Sequence, residues 1–306
     1  MYWYDLVVSP PEMFDSRKII SNNLKILKQK VEDTLEKRFI YFICSRKKIR
    51  FSTVKKPYYS KKSKQLNIPI EIGKKRKRDY IKFSIRDLET ESIIDPEIQI
   101  TDKFISFITE NGFSLTYSIH DLLRTLDLNF DFDTQVHYIG YTKNPDTRPI
   151  NGAHAGLSEV LYKVSNEDSD IFIYFNLFNV LTASTDSSSY FQFAVANSMI
   201  DEIKADLEGL IIEKCLILYF DSENQVKNKK KERLELKNSL IKLSSENNIY
   251  AIHFIYEFED ESEYFRFFSS CVKSSYRHAF TVKLDSNEPI IHRGIDYFPN
   301  IIKAHL

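Results

Sequence analysis

Val136-His137-Tyr138-Ile139-Gly140-Tyr141-Thr142-Lys143-Asn144-Pro145-Asp146-Thr147-Arg148-Pro149-Ile150-Asn151-Gly152-Ala153-His154 is the stretch from which the rest of the chain is read. It opens as a strand carrying apolar Val136, Tyr138 and Tyr141. Gly140, with no Cβ to clash, lets the backbone turn or approach a ligand closely. Lys143, Asn144, Pro145 and Asp146 form a polar, proline-punctuated loop. Pro145 or Pro149 can start a helix, because proline lacks an N–H that the first helical turn would leave without a partner. Two tyrosines, an arginine and a histidine are thereby set around a strand–loop–helix corner. Corners of this kind carry sites more often than strand interiors do.

Working outward, the chain has 306 residues, 42% of them hydrophobic and 14% aromatic, which is enough to build a sizeable core and excludes general disorder. Glycine is scarce, and no G-x-x-x-x-G-K-[ST] or G-x-G-x-x-G occurs, so nucleotide loops of those kinds are excluded. Cys44, Cys215 and Cys271 are widely spaced and make neither a disulfide framework nor a zinc knuckle. They read as buried, reduced thiols of a cytoplasmic protein. The start of the chain lacks a basic-then-apolar order, and no apolar run approaches the ~20 residues of a membrane helix, so no membrane partner is expected.

The zero net charge hides an asymmetry. Between Tyr41 and Arg86 sixteen basic residues face only Glu71 and Asp79, a local +14 that the remainder of the neutral chain balances with −14. The densest clusters are Lys55, Lys56, Lys61, Lys62 and Lys64, then Lys74, Lys75, Arg76, Lys77 and Arg78. A field this lopsided attracts a polyanion, and nucleic acid is the first candidate. Lysines would grip phosphates without reading sequence, and Tyr58, Tyr59 and Tyr80 would stack on unpaired bases. Against this stands a solvated basic face, or lysines that protect edge strands from aggregation.

The periodicity predicts a helix over Ser16–Leu35, then short strands over 39–43, 49–54, 66–72 and 80–85. Phe113, Leu115, Tyr117 and Ile119 alternate as a strand, and Ser118 with Asp121 marks a helix start. Further on, 157–164 reads as a short helix, 170–180 as a strongly apolar strand, and 194–218 as helix in one or two pieces. Leu210 to Leu218 is apolar almost all round, so that helix is expected to be buried, and Glu213 within it needs a partner or a metal. Glu202, Asp206 and Glu208 read as solvated carboxylates. In the last part, 227–247 reads as an amphipathic helix and 250–256 as a buried strand. A helix carries Phe265, Phe267 and Phe268, and strands cover 279–284 and 289–292.

Tyr138-Ile139-Gly140, followed by Thr142, Arg148 and His154, together with Glu213 on the helix Ile212–Phe220, resembles the GIY-YIG nuclease family. The resemblance covers roughly residues 112–222. It implies a small sheet flanked by helices, and a Mg²⁺- or Mn²⁺-dependent endonuclease acting on DNA ahead of RNA, in a setting such as restriction or anti-phage defence. It implies a tyrosine general base, Tyr138 or Tyr141, and a phosphate-holding Arg148. His154 would relay or donate a proton, and Glu213 would bind the metal. No Gly-Ile-Tyr half-motif is present; Tyr117, or Tyr141, would stand in for its tyrosine.

The expected fold class is therefore α+β: a basic, β-rich nucleic-acid-binding region over 1–110, a GIY-YIG-like domain over 111–235, and an α+β extension over 236–306 that offers a self-association or partner surface. The competing functions are an inactive nucleic-acid-binding protein on a nuclease-derived fold, and a partner-binding subunit of a defence complex.

Overall fold

The computed structural model describes residues 2–5, 12–15, 25–26, 28–29, 39–86, 91–147, 155–164, 168–183, 194–196, 203–222, 229–257 and 262–303. Its fold class is α+β.

The central sheet is built on β3 (Phe39–Lys47), eight of whose nine residues are buried. A strand that apolar on both faces is stable only with neighbours on both edges and cover on both sides. It pairs antiparallel with β11 (Thr134–Thr142) on one edge and with β12 (Ser169–Leu177) on the other. The sheet is completed by β2 (Glu12–Asp15) beyond β12 and by β16 (Phe267–Phe268), which pairs with only the first two residues of β11. Alternation splits the side chains cleanly. Ile40, Phe42, Cys44, Ile139, Tyr141, Phe172 and Tyr174 belong to one face and to the main core. Tyr41, Ile43, Ile171, Ile173 and Phe175 belong to the other, with half-buried Tyr138 packed against them.

Helices cover both faces. After α1 (Ile119–Thr125), whose N-cap Ser118 accepts the Asp121 N–H, comes α2 (Ala155–Val164). Val160, Leu157, Leu161 and Val164 of α2 close the Tyr41 face. The main face receives α3 (Ala205–Phe220), in which Ile211, Ile212, Cys215, Leu216, Ile217, Tyr219 and Phe220 are all buried. Other elements surround α3, which is why it is apolar almost all round. One is α4 (Lys229–Asn247), and Tyr219 stacks on Phe280 at 4.0 Å. Phe280 belongs to a six-stranded sheet with the order β14 (Ala194–Ala196), β13 (Asn179–Ala183), β1 (Tyr2–Asp5), β15 (Ala251–Glu257), β17 (Arg277–Asp285) and β18 (Glu288–Arg293). A single turn, α5 (Asn300–Lys303), ends the described chain.

The basic segment folds as a separate small sheet. β4 (Ile49–Phe51) and β5 (Tyr58–Ser60) share one edge of β6 (Gln65–Ile72), and β7 (Lys77–Phe83) takes the other. Leu66, Ile68, Ile70, Ile72 and Ile81 meet Ile105 and Phe107 in the core. The latter two come from the sheet of β8 (Glu97–Ile100), β9 (Phe104–Ile108) and β10 (Ser114–Ser118).

Several expectations change. The divisions at 110 and 235 do not follow sheet membership: β3 comes from the first region yet lies between β11 and β12, and β1, β13 and β15 join all three in one sheet. The strand expected over 170–180 stops at Leu177, and β13 leaves for the other sheet. Part of the helix expected from 194 is strand β14, and α3 begins only at Ala205. The helix expected around Phe265 is a 3₁₀ turn, Glu263–Phe265, followed by β16. Three aromatic residues in four cannot all face one core from a helix, whereas a turn and a short strand bury Phe265 and Phe267. Most of Ser16–Leu35 lies outside the described residues; Lys25, Ile26, Lys28 and Gln29 within it are helical.

Candidate functional site

The corner at β11 places its two tyrosines on opposite faces. Tyr138 lies beside the ring of Tyr41, with centroids 6.1 Å apart, and against α2, where a Cβ on Gly156 would fall 2.6 Å from the Tyr138 ring. Gly140 is opposite Tyr41 in register, and a Cβ there would sit 2.2 Å from the Tyr41 hydroxyl. The close approach that Gly140 allows is therefore made by a phenol of the neighbouring strand.

Tyr141 points to the other face and lies along α3. Its backbone N–H, on the outer edge of β11, donates to Glu213 Oε1 at 2.8 Å, and its hydroxyl donates to Asp206 Oδ1 at 3.0 Å. The ring crosses α3 where a Cβ on Gly209 would be 2.3 Å away, so only glycine fits between these carboxylates. Lys143 pairs with Asp206 from the start of the loop. Asp206 and Glu213 are seven residues apart, roughly 10 Å along the axis, and Tyr141 spans that gap. Two carboxylates so separated do not share one ion directly. Among the described residues no group of three or more His, Cys, Asp or Glu is placed to hold a metal. The partner that Glu213 was expected to need is thus supplied, at one oxygen, by a strand-edge amide. Arg148 and His154 lie outside the described residues. Asp206 is half exposed, as expected, and takes the Tyr141 hydroxyl and Lys143, whereas Glu208, expected to be solvated, is fully buried.

Sequence reasoning missed a buried polar cluster at the other end of the central sheet. Arg46 of β3, 2% exposed, donates to Glu263 Oε1 at 2.8 Å, to the Glu263 carbonyl at 3.0 Å and to Thr134 Oγ1 at 3.2 Å. Its guanidinium lies 3.7 Å from the centre of the Tyr264 ring. Glu263 Oε2 accepts the N–H groups of Phe130 and Phe132. His120 stands between Asp170 and Tyr264, 3.1 Å from each. Burial raises the Tyr264 phenol pKa well above its ordinary value. With every member buried, this cluster ties α1, the central sheet and the 3₁₀ turn together. The sequence signal was a charged residue leading or ending a strongly apolar run, at Asp170 and Arg46.

Of the three cysteines, Cys44 and Cys215 are buried thiols as expected, but Cys271 is exposed, its thiol 3.6 Å from Asp221.

The basic lobe keeps its charge outward. Lys55, Lys56, Lys61, Lys62, Lys64, Lys74, Lys75, Arg76, Lys77 and Arg78 are all exposed. The turns at 61–64 and 73–76 lie at the two ends of β6, about 25 Å apart by strand rise, and residues 52–57 bulge from its edge between them. On the outer face the register sets Arg50 and Arg78 beside Glu71, Tyr80 beside Pro69, and Tyr58 and Lys82 beside Asn67. Tyr59 pairs with core residue Leu66 and so faces inward, unlike its expected stacking partners.

Against models of known protein families, curated proteins and solved structures, the chain has no match. Among the described residues no helix is long and apolar enough to cross a membrane.

Proposed function

We propose that the protein binds nucleic acid through the β4–β7 lobe. The observation that carries this reading is that all ten cations singled out from the sequence are exposed on one small sheet, arrayed along about 25 Å. Glu71, the acid on that face, accepts the Ser52 hydroxyl at 3.0 Å and pairs with Arg76 at 3.7 Å, so it offsets one of the ten positive charges. Such an array meets a phosphate backbone by charge, and binding follows counterion release. The test is fluorescence anisotropy with labelled oligonucleotides over a salt series. Wild-type affinity should fall steeply from low to moderate salt, and Lys61→Glu, Lys62→Glu and Lys64→Glu together should weaken it roughly 100-fold while flattening the salt dependence. Salt-independent binding, or equal affinity for the triple variant, would reject the reading.

A second reading, phosphodiester hydrolysis by a relative of the GIY-YIG nucleases, draws support from β3. Tyr41 of β3, far away in sequence, lies opposite Gly140 and beside the Tyr138 ring, so on this reading it, rather than Tyr117 or Tyr141, would be the second tyrosine. On this reading residues 48–133, basic lobe included, are an insertion between two half-motifs. Tyr138 lies on the face of β11 opposite the one that α3 covers, and Glu213 of α3 is engaged at the strand edge, so no step through a shared Mg²⁺ or Mn²⁺ is derived. Plasmid incubated with Mg²⁺ should be cut by wild type and spared by Arg148→Ala and Tyr138→Phe; wild type that leaves DNA and RNA intact removes this reading and leaves binding untouched. DNA as the substrate, a defence role, a cytoplasmic setting and a self-association or defence-complex partner belong to the same proposal.

A further inference from the structure

We infer that the outer face of the β4–β7 sheet is a platform for single-stranded nucleic acid, an inference that rests on the binding role proposed for this lobe. A duplex buries its bases and offers phosphates, whereas a single strand offers base faces as well. The lobe is equipped for both. Between its two cationic ends lies an aromatic patch: Tyr58, 52% exposed, meets half-buried Tyr80 edge-to-face at 6.2 Å. Tyr80 lies across from Pro69 in register, which gives the patch a flat apolar floor. Lys55 stands at its edge, with Nζ 3.3 Å from the Tyr80 hydroxyl and 6.0 Å from the ring centre. Arg78 and Lys82 are the residues two before and two after Tyr80 on β7, so they share its face and flank it along the strand.

A lysine array whose only task is to keep strands from aggregating does not need this. Cations suffice at an edge, and an exposed tyrosine on the open face works against solubility. An aromatic pair framed by cations on an open sheet instead matches a strand of alternating bases and phosphates. Bases stack on the rings, and the phosphates on either side reach Lys55, Arg78 and Lys82. DNA and RNA share that chemistry, and the patch offers nothing that selects the sugar.

The test compares labelled oligothymidylate, oligouridylate and a blunt duplex of equal length at one salt concentration, with wild type, Tyr58→Ala, Tyr58→Phe and Tyr80→Phe. Single strands should bind more tightly than the duplex. Tyr58→Ala should lose about 5- to 150-fold for the single strands, the range carried by one stacked base, with an unchanged salt slope and little change for the duplex. Tyr58→Phe and Tyr80→Phe should keep wild-type affinity, because the ring and not the hydroxyl is used. Tyr58 is half in solvent, so its replacement leaves the fold intact, which circular dichroism checks. Duplex binding as tight as single-strand binding, or Tyr58→Ala within twofold of wild type on single strands, overturns the inference. If the lysine variant has lost binding in those same cases, the binding role stands and only the platform fails; wild type that binds none of the probes removes both.

Discussion

In the β4–β7 lobe the cations are exposed on turns and an open face, while in the body of the molecule the charges that matter are buried and matched. Arg46 meets Glu263 at 2.8 Å in the core, and Lys214 of α3, 8% exposed, is held by Glu232 and Glu235 of α4 at 2.7 Å each. Burial is the largest influence on the Lys214 pKa and lowers it, but its two glutamate partners raise it further, so the net shift is upward. The same residue types thus do opposite work. A buried charge must be matched in place or it destabilises the fold; an exposed one is free to meet a ligand and adds little to stability. Position relative to the core, rather than charge itself, separates the charges that hold the fold from those proposed to bind a ligand.

Acid should expose this difference most strongly. Burial lowers the pKa of His137, His253 and His278 from 6.5 to about 4. All three belong to the body, and the β4–β7 lobe contains no histidine. As pH falls from 6.5 towards 4 the unfolded chain takes up protons that the folded chain refuses, so stability is lost through that window. Each ring contributes about 3 kcal/mol, on the order of 10 kcal/mol together, comparable to the whole stability of an ordinary domain. Thermal melts should therefore fall steeply below pH 6.5 and reach acid unfolding before about pH 4. A flat melting temperature over that range would show that these rings are not kept neutral.

Next comes the buried pair. Arg46→Ala or Glu263→Ala strands a charge in the core and should cost about 3–5 kcal/mol in denaturant titration, with nucleic-acid affinity of the folded fraction unchanged. A loss under 1 kcal/mol would mean that water reaches the cluster. Tyr141→Phe removes one hydroxyl from Asp206 and should cost about 1 kcal/mol. The smallest effect belongs to the lobe: the Lys61, Lys62 and Lys64 substitutions should change stability by no more than about 0.5 kcal/mol. A larger change would mean that the turn supports the fold and would blur the contrast.

The helical period of α4, the all-round apolar face of α3, the Ser118 cap and the strands β6 and β7 on either side of a basic turn were readable from local pattern, whereas β5 was read as part of a connection. The partners of the corner at 136–154 were not. Tyr41 and Tyr138 are neighbours only because β3 and β11 pair across an excursion of some ninety residues, and no periodicity encodes which strands pair. The opposed directions of Tyr138 and Tyr141 were implicit in strand alternation, since residues three apart face opposite ways. They were read together because a motif groups by adjacency. Tyr59 was misjudged in the same way, its neighbour Tyr58 taking the outer face.

By itself the amino-acid order determined an α+β chain, a helix that must be buried, and one segment carrying a local charge of +14, because composition and period act over a few residues at a time. Only the tertiary structure decided that β3 divides β11 from β12, that Glu213 reaches a strand edge, and that Tyr58 and Tyr80 share an open face among cations. Those outcomes depend on contacts between distant segments, where the hydrophobic effect rewards burial without specifying which partner provides it.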